Sequence, residues 1–142
     1  MRYLRLLVLG ALALCLVSGA AQAETKVFKA TLSGGSEVPP TTSAGTATAT
    51  ATLDTATKKL SWDVAYSGLT GPALAAHIHG PANPGQNAGV VVPLKVTASP
   101  IKGSKTLTAA QEADLEAGKY YVNIHTKINK DGEIRGQLMP AQ

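Results

Sequence analysis

The sequence is poor in cysteine, in aromatic residues and in charge. Cys15 is its one cysteine, and aromatic residues occupy 4% and charged residues 15% of the 142 positions. A single cysteine excludes an internal disulfide and a cysteine-rich metal cluster. The lysines are scattered rather than clustered, so we expect no nucleic-acid partner. The fold must therefore be stabilised by the packing of its core.

Long apolar runs are also missing, apart from one near the start of the chain. Two arginines precede an apolar run over residues 6–17, and the sequence Ala-Gln-Ala follows at residues 21–23. This order is typical of a secretory signal peptide, whereas a membrane-spanning helix needs about 20 apolar residues. We predict a signal peptide over residues 1–23 and one mature domain over residues 24–142, periplasmic or secreted and without a membrane partner.

Removal of that leader would take away the cysteine and two of the basic residues. Eleven basic and nine acidic residues would remain, a net charge of +2. The mature chain also lacks a G-x-S-x-G motif and a phosphate-binding loop, and its acidic residues are scattered. These absences leave enzyme activity uncertain and favour a role without catalysis.

Alternation of apolar and polar residues predicts strands along most of the mature chain. Alanine and threonine alternate over residues 46–53, and Leu60, Trp62, Val64 and Tyr66 share one face of the next run, which places Trp62 in the core. Gly- and Pro-rich turns separate the further strand candidates, which are KVFKATL, PALAAHIHG, GVVVPLKV, KYYVNIHT and GEIRGQLM.

One segment, TAAQEADLEAG, has the pattern of a helix. Thr108 is placed to cap its start, Gln111 to complete a capping box, and Gly118 to end it. Several short strands with one short helix predict an all-β fold, an antiparallel Greek-key sandwich or barrel of the immunoglobulin-like or superoxide-dismutase-like kind.

The three histidines of the chain all fall on predicted strands. His77 and His79 lie one residue apart in AAHIHGP, and His125 lies in KYYVNIHTK. Residue parity places Leu74, together with Ala76 and Ile78, in the core and the histidines on the outer face. Alternate residues of a strand lie about 6.5–7 Å apart, so two imidazoles can converge on one ion. Adjacent strands would give a three-histidine metal site; the alternative is a solvent-facing His-x-His without a ligand.

The donor atoms of this cluster indicate the metal. Imidazole nitrogen suits copper and zinc, and the affinity order of divalent ions favours Cu(II). We therefore expect one copper ion as the cofactor, with zinc less favoured. Asn123 shares a strand face with His125 and is a candidate to orient a histidine.

Two further residues are candidates for a place near the metal. Glu37, in SEVPP, either approaches the site or serves the structure of a proline-rich loop. Arg135 shares its strand parity with Glu133 and Gln137, opposite Ile134 and Leu138, and is therefore expected to be exposed.

Three stretches resemble the signature of the CHRD domain, a module named after chordin and also found in exported bacterial proteins. They are ATLSGGSEVPP, GLTGPALAAHIHGPA and YYVNIHTKINKDGEIRGQL, and the resemblance extends from about residue 28 to residue 138. It implies an extracellular domain and a role in protein recognition.

A more distant resemblance is to Cu,Zn superoxide dismutase, whose Greek-key barrel carries a His-x-His strand and a further copper histidine on a late strand. It implies that His77, His79 and His125 are copper ligands and that Arg135 guides an anion to the metal. Counterparts of the bridging histidine, the zinc loop and the disulfide are missing. The resemblance therefore implies a single copper ion and leaves dismutase activity open.

Three functions remain open at this point. The first is an exported protein that binds copper for storage or delivery, and the second is a copper-dependent redox enzyme. The third is a metal-free interaction module whose partner is an extracellular or periplasmic protein.

Overall fold

The computed structural model describes residues 22–141. The predicted signal peptide, residues 1–23, lies outside the described residues except for its last two positions. Among the described helices, none combines the length and the apolar character that a membrane span requires.

Eight antiparallel strands and one α-helix form the described part of the chain, with a short 3-10 turn over Gly34–Ser36. In chain order they are β1 (Thr25–Ser33), β2 (Thr46–Asp54), β3 (Lys59–Ser67), β4 (Ala73–His79), β5 (Val90–Leu94), β6 (Ile101–Thr106), α1 (Ala109–Glu116), β7 (Tyr120–Thr126) and β8 (Ile134–Pro140).

The strands form a single sheet in the order β5-β4-β7-β8-β1-β2-β3-β6. The β3–β4 and β6–β7 connections pass over intervening strands, as in a Greek key. The two end strands, β5 and β6, approach each other, and Lys105 Nζ of β6 donates to the Val91 carbonyl of β5 at 3.4 Å. The sheet is thus a nearly closed barrel, and the predicted all-β fold with one short helix is confirmed.

The alanines of β2 allow larger side chains to meet in the core. Ala51 pairs with Phe28 of β1 and with Trp62 of β3, and all three side chains are buried. Small residues on the middle strand leave the volume that the aromatic rings fill. Burial of Trp62 confirms its predicted place in the core.

The helix begins and ends as its sequence predicts. Thr108 Oγ1 accepts a hydrogen bond from the Gln111 amide, and the Gln111 side chain accepts one from the Thr108 amide. Gly118 follows the helix with a φ of 68°, a left-handed conformation that favours glycine.

The structure corrects the sequence prediction at two strands. Leu74 is 63% exposed, not buried, because the register between β4 and β7 shifts between Ala73 and Ala75 and moves Leu74 to the outer face. Strand β6 was not predicted: Ile101 is buried, while the rest of the strand is exposed and polar and shows no alternation.

Candidate metal centre

The histidines lie on two neighbouring strands of the barrel. In the pairing of β4 with β7, Ala75 faces His125, His77 faces Asn123, and His79 faces Tyr121. These residues share the outer face of the sheet, and the three histidines are partly exposed. The strand adjacency that a three-histidine cluster requires is therefore present.

The nitrogen atoms of the three rings converge. His77 Nδ1 lies 3.0 Å from His125 Nε2, and one ligand nitrogen from each histidine lies within 4.8 Å of the other two. Bonds of about 2 Å from a central ion to imidazole nitrogens require separations of about 3 Å between the donors. The cluster meets that requirement for the pair His77 and His125, and the ligand nitrogen of His79 lies within 4.8 Å of both.

Backbone carbonyl groups fix the proton positions of two rings. His79 Nδ1 lies 2.9 Å from the Ala88 carbonyl oxygen, and His125 Nδ1 lies 2.8 Å from that of Lys130. A carbonyl oxygen can only accept, so each Nδ1 carries the proton, and the Nε2 atom of each neutral ring presents a lone pair. Metal-binding histidines are commonly oriented by such bonds.

Burial lowers the pKa of His77 and of His79. For His77 the neighbouring His125 and His79 lower the pKa further, and for His79 hydrogen bonds with Ala88 and Asn123 oppose the shift. A lowered pKa keeps these rings neutral, which is the form that binds a metal ion.

Asn123 lies between the histidines on the inner side of the cluster. Its side chain is 3% exposed, and Oδ1 lies 3.0 Å from both His79 Nε2 and His125 Nε2. The predicted neighbourhood of Asn123 and the histidines is present in the structure.

Tyr121 and Arg135 form a stack beside the cluster. The Tyr121 ring lies parallel to the His79 ring, with centroids 4.9 Å apart, and the Arg135 guanidinium carbon lies 3.5 Å from the Tyr121 centroid. The Tyr121 hydroxyl also contacts Ala88, whose carbonyl accepts from His79. Tyr121 was not predicted as part of the site. Its place on the same face of β7 as Asn123 and His125 was the feature that could have identified it.

Arg135 is buried, and the prediction that it is exposed was wrong. Its side chain is 2% exposed and donates to the Gln86 carbonyl at 2.6 Å and to Asn87 Oδ1 at 3.0 Å. The β4–β5 loop folds over the outer face of β8 and covers the guanidinium group. Arg135 therefore holds this loop, and its terminal nitrogens are not directed toward the histidines.

Glu37 is also buried, and its carboxylate does not belong to the group of ligand atoms within 4.8 Å of one another that the three histidines form. It is 5% exposed and packs against Gly132, where a β-carbon would overlap Oε1. Burial raises the pKa of Glu37 to about 7, although the positive charge of Arg135 opposes the rise. The structure places the Glu37 side chain in contact with Gly132 of the β7–β8 turn.

Sequence reasoning missed Glu133, whose carboxylate joins three segments of the barrel. It accepts hydrogen bonds from Ser43 Oγ, from the amide and hydroxyl of Thr70, and from the hydroxyl of Thr126. Burial opposes its ionisation, but these bonds outweigh burial and lower its pKa to about 2. Thr126 follows His125 directly, so Glu133 anchors the end of the strand that carries this ligand candidate.

One comparison with known proteins gives a match. The model of the CHRD domain family matches residues 28–138, a range that includes all three histidines. No curated protein and no solved structure matches the chain.

Proposed function

This chain belongs to the CHRD domain family, and from that premise we propose that it is an exported domain that binds one copper ion through His77, His79 and His125. CHRD domains occur in extracellular or secreted proteins, which agrees with the signal peptide predicted from the sequence.

The convergence of the three imidazoles is the observation that carries the proposal. Ligand nitrogens within 4.8 Å of one another, on neighbouring strands of a rigid barrel, require little rearrangement to bind an ion. The carbonyls of Ala88 and Lys130 hold two rings in the tautomer that a metal requires. A solvent-exposed His-x-His pair without a ligand would function equally well without these hydrogen bonds to backbone carbonyls.

The donor set supports copper, with zinc as the weaker candidate. Imidazole suits both ions, and among first-row divalent ions Cu(II) forms the most stable complexes with a given nitrogen site. A bound copper ion would supply one-electron redox chemistry. The residues of this chain orient the nitrogens and exclude part of the solvent.

The position of Arg135 favours binding, storage or delivery of copper over turnover of an anion such as superoxide. The resemblance to superoxide dismutase implied that Arg135 guides an anion to the metal. The guanidinium group of Arg135 is, however, buried under the β4–β5 loop. The terminal nitrogens of Arg135 donate to the β4–β5 loop, so they do not bind an anion at the metal directly, although the charge still acts on His79, whose pKa burial lowers and this charge lowers further.

Copper binding by the purified protein tests this proposal. We expect one copper ion per chain, and an affinity for Cu(II) that falls by more than about 100-fold when all three histidines are changed to alanine, since loss of even one supporting partner costs about 10- to 100-fold. Competition with zinc in the same titration gives the relative affinities of the site for the two ions.

A matched control changes three exposed threonines of β2, Thr46, Thr48 and Thr50, to alanine. This control should bind copper like the unmodified protein. If the histidine variant binds copper as tightly as the control, the copper proposal is wrong, and a metal-free interaction domain takes its place.

A further inference from the structure

Asn123 is more closely involved in the histidine cluster than an orienting partner would be. Its Oδ1 atom lies 3.0 Å from His79 Nε2 and 3.0 Å from His125 Nε2, and the side chain is buried. It faces the two nitrogen atoms that are expected to bind the metal, not the Nδ1 atoms on the far side of the rings.

The position of the ring protons makes this contact unusual. Both Nδ1 protons are donated to backbone carbonyls, so the two Nε2 atoms of the neutral rings are acceptors. An amide oxygen is also an acceptor. Three acceptors therefore converge, and His77 Nδ1, 3.0 Å from His125 Nε2, is placed to donate to only one of them. The close approach of Oδ1 to the two Nε2 atoms is costly unless a positive charge lies among them.

We propose that Asn123 Oδ1 is a fourth ligand of the copper ion and binds it from the buried side of the cluster, next to the sheet. The inference rests on the proposed function. Two ligands at right angles, each about 2 Å from one ion, lie about 3 Å apart. The separations of Oδ1 from the two Nε2 atoms fit this geometry, as does the 3.0 Å between His77 Nδ1 and His125 Nε2.

An amide oxygen at the fourth position determines which oxidation state the site prefers. Soft sulfur ligands select Cu(I), whereas oxygen ligands suit harder ions. A centre of three imidazoles and one amide oxygen therefore binds Cu(II) in preference to Cu(I). With Asn123 on the inner side, an additional ligand can approach only from the solvent side, where the histidines are partly exposed.

The affinities of Asn123 variants for the two oxidation states test this role. In Asn123→Leu we expect an affinity for Cu(II) lower by about 10- to 100-fold, with an affinity for Cu(I) unchanged within about threefold. In Asn123→Asp, which keeps an oxygen at this position, binding of Cu(II) should be equal or tighter. The electron paramagnetic resonance spectrum of the Cu(II) form should change in the leucine variant.

The controls separate this inference from the proposed function. Asn83→Leu makes the same change at an exposed loop position and should alter neither affinity. Thermal unfolding of the metal-free variants reports whether they fold, and Asn123→Ala replaces the leucine variant if that one does not.

Several results would overturn the fourth-ligand role. One is unchanged Cu(II) binding in the leucine variant, expected if the amide is turned and its NH₂ group donates to the histidines. Another is an equal loss for both oxidation states, expected if Asn123 only orients the rings. In either case copper binding by the unmodified protein would still stand; its absence there would refute both proposals.

Discussion

Two buried glutamates flank the same turn of the barrel and ionise in opposite ways. Glu133 lies at the end of the β7–β8 turn, directly before β8. Glu37 packs on Gly132, the residue that precedes Glu133. Both side chains are almost fully removed from solvent, with exposures of 0% and 5%. Even so, the pKa of Glu133 is about 2 and that of Glu37 is about 7.

Hydrogen-bond donors account for the difference between them. Burial raises the pKa of each carboxyl group, but Glu133 accepts bonds from two threonines and a serine. Glu37 has only the charge of Arg135 and one backbone donor, the Val38 amide, to oppose its burial, and within residues 22–141 its Oε1 atom has no hydrogen-bond partner. Desolvation alone therefore does not decide whether a buried carboxyl group is charged; the donors around it do.

The largest effect is expected from Glu133→Gln. The amide cannot replace the charge-assisted bonds, so the free energy of unfolding at pH 7 should fall by about 3 kcal/mol. Because the folded-state pKa is below the usual 4.5, this stability is present above pH 4.5 and is lost as the pH falls toward 2.

Urea unfolding of the metal-free protein at several pH values measures this effect. The difference between Glu133→Gln and the unmodified protein should shrink as the pH falls from about 4.5 to about 2. Equal stability of the two proteins at pH 7 would show that the hydroxyl groups do not stabilise the charge.

A change of opposite sign is expected from Glu37→Gln. The folded-state pKa of Glu37 is above its usual value, so its contribution to stability is complete below pH 4.5 and is lost as the pH rises through 7. At pH 8 the neutral amide should be more stable than the unmodified protein by about 2 kcal/mol, a figure discounted for screening by solvent; the attraction to Arg135 is already contained in the raised pKa. At pH 4 the two should be equal.

Thermal and urea unfolding at pH 4 and pH 8 provide that measurement. A glutamine variant that is less stable than the unmodified protein at pH 8 would mean that Glu37 has a partner stronger than Arg135.

The smallest effect is expected from Thr126→Val, which removes one of the donors to Glu133 without changing the volume of the side chain. We expect a loss of about 1.5 kcal/mol at pH 7 and a rise in the pKa of Glu133 toward 4.5. Unfolding in urea gives the first quantity, and an NMR titration of the carboxyl carbon gives the second. The exposed Thr48→Val serves as the control, and a pKa for Glu133 that does not move would contradict the donor argument.

Much of the fold and part of the candidate site could be predicted from the sequence, because alternation records which face of a strand meets the core. It placed Trp62 inside and the three histidines on one outer face, and local capping chemistry identified the helix. The pairing of β4 with β7 depends on long-range contacts that alternation does not record. The distant resemblance to Cu,Zn superoxide dismutase supplied a reason to expect the cluster, and the register between β4 and β7 brings the three histidines together.

The buried charges could not be predicted in this way. Alternation assigns Arg135 of β8 and Glu133, the second residue before it, to the outer face, but loops cover that face as well, one of them through Gln86 and Asn87. Alternation of apolar and polar residues distinguishes the two faces of a strand. It does not show whether a loop covers the outer face. Leu74 was misplaced for a related reason, since a shift in register changes the parity midway along a strand.

The gap between β5 and β6 has a consequence for how copies of this protein behave together. An open strand edge offers unpaired amide and carbonyl groups to another chain, which is a common start of aggregation. Here β6 carries the exposed Lys102 and Lys105, and β5 contains Pro93, which has no amide hydrogen to donate. Lys105 also occupies the Val91 carbonyl across the gap. The open side of the barrel is therefore poorly suited to edge-to-edge polymerisation.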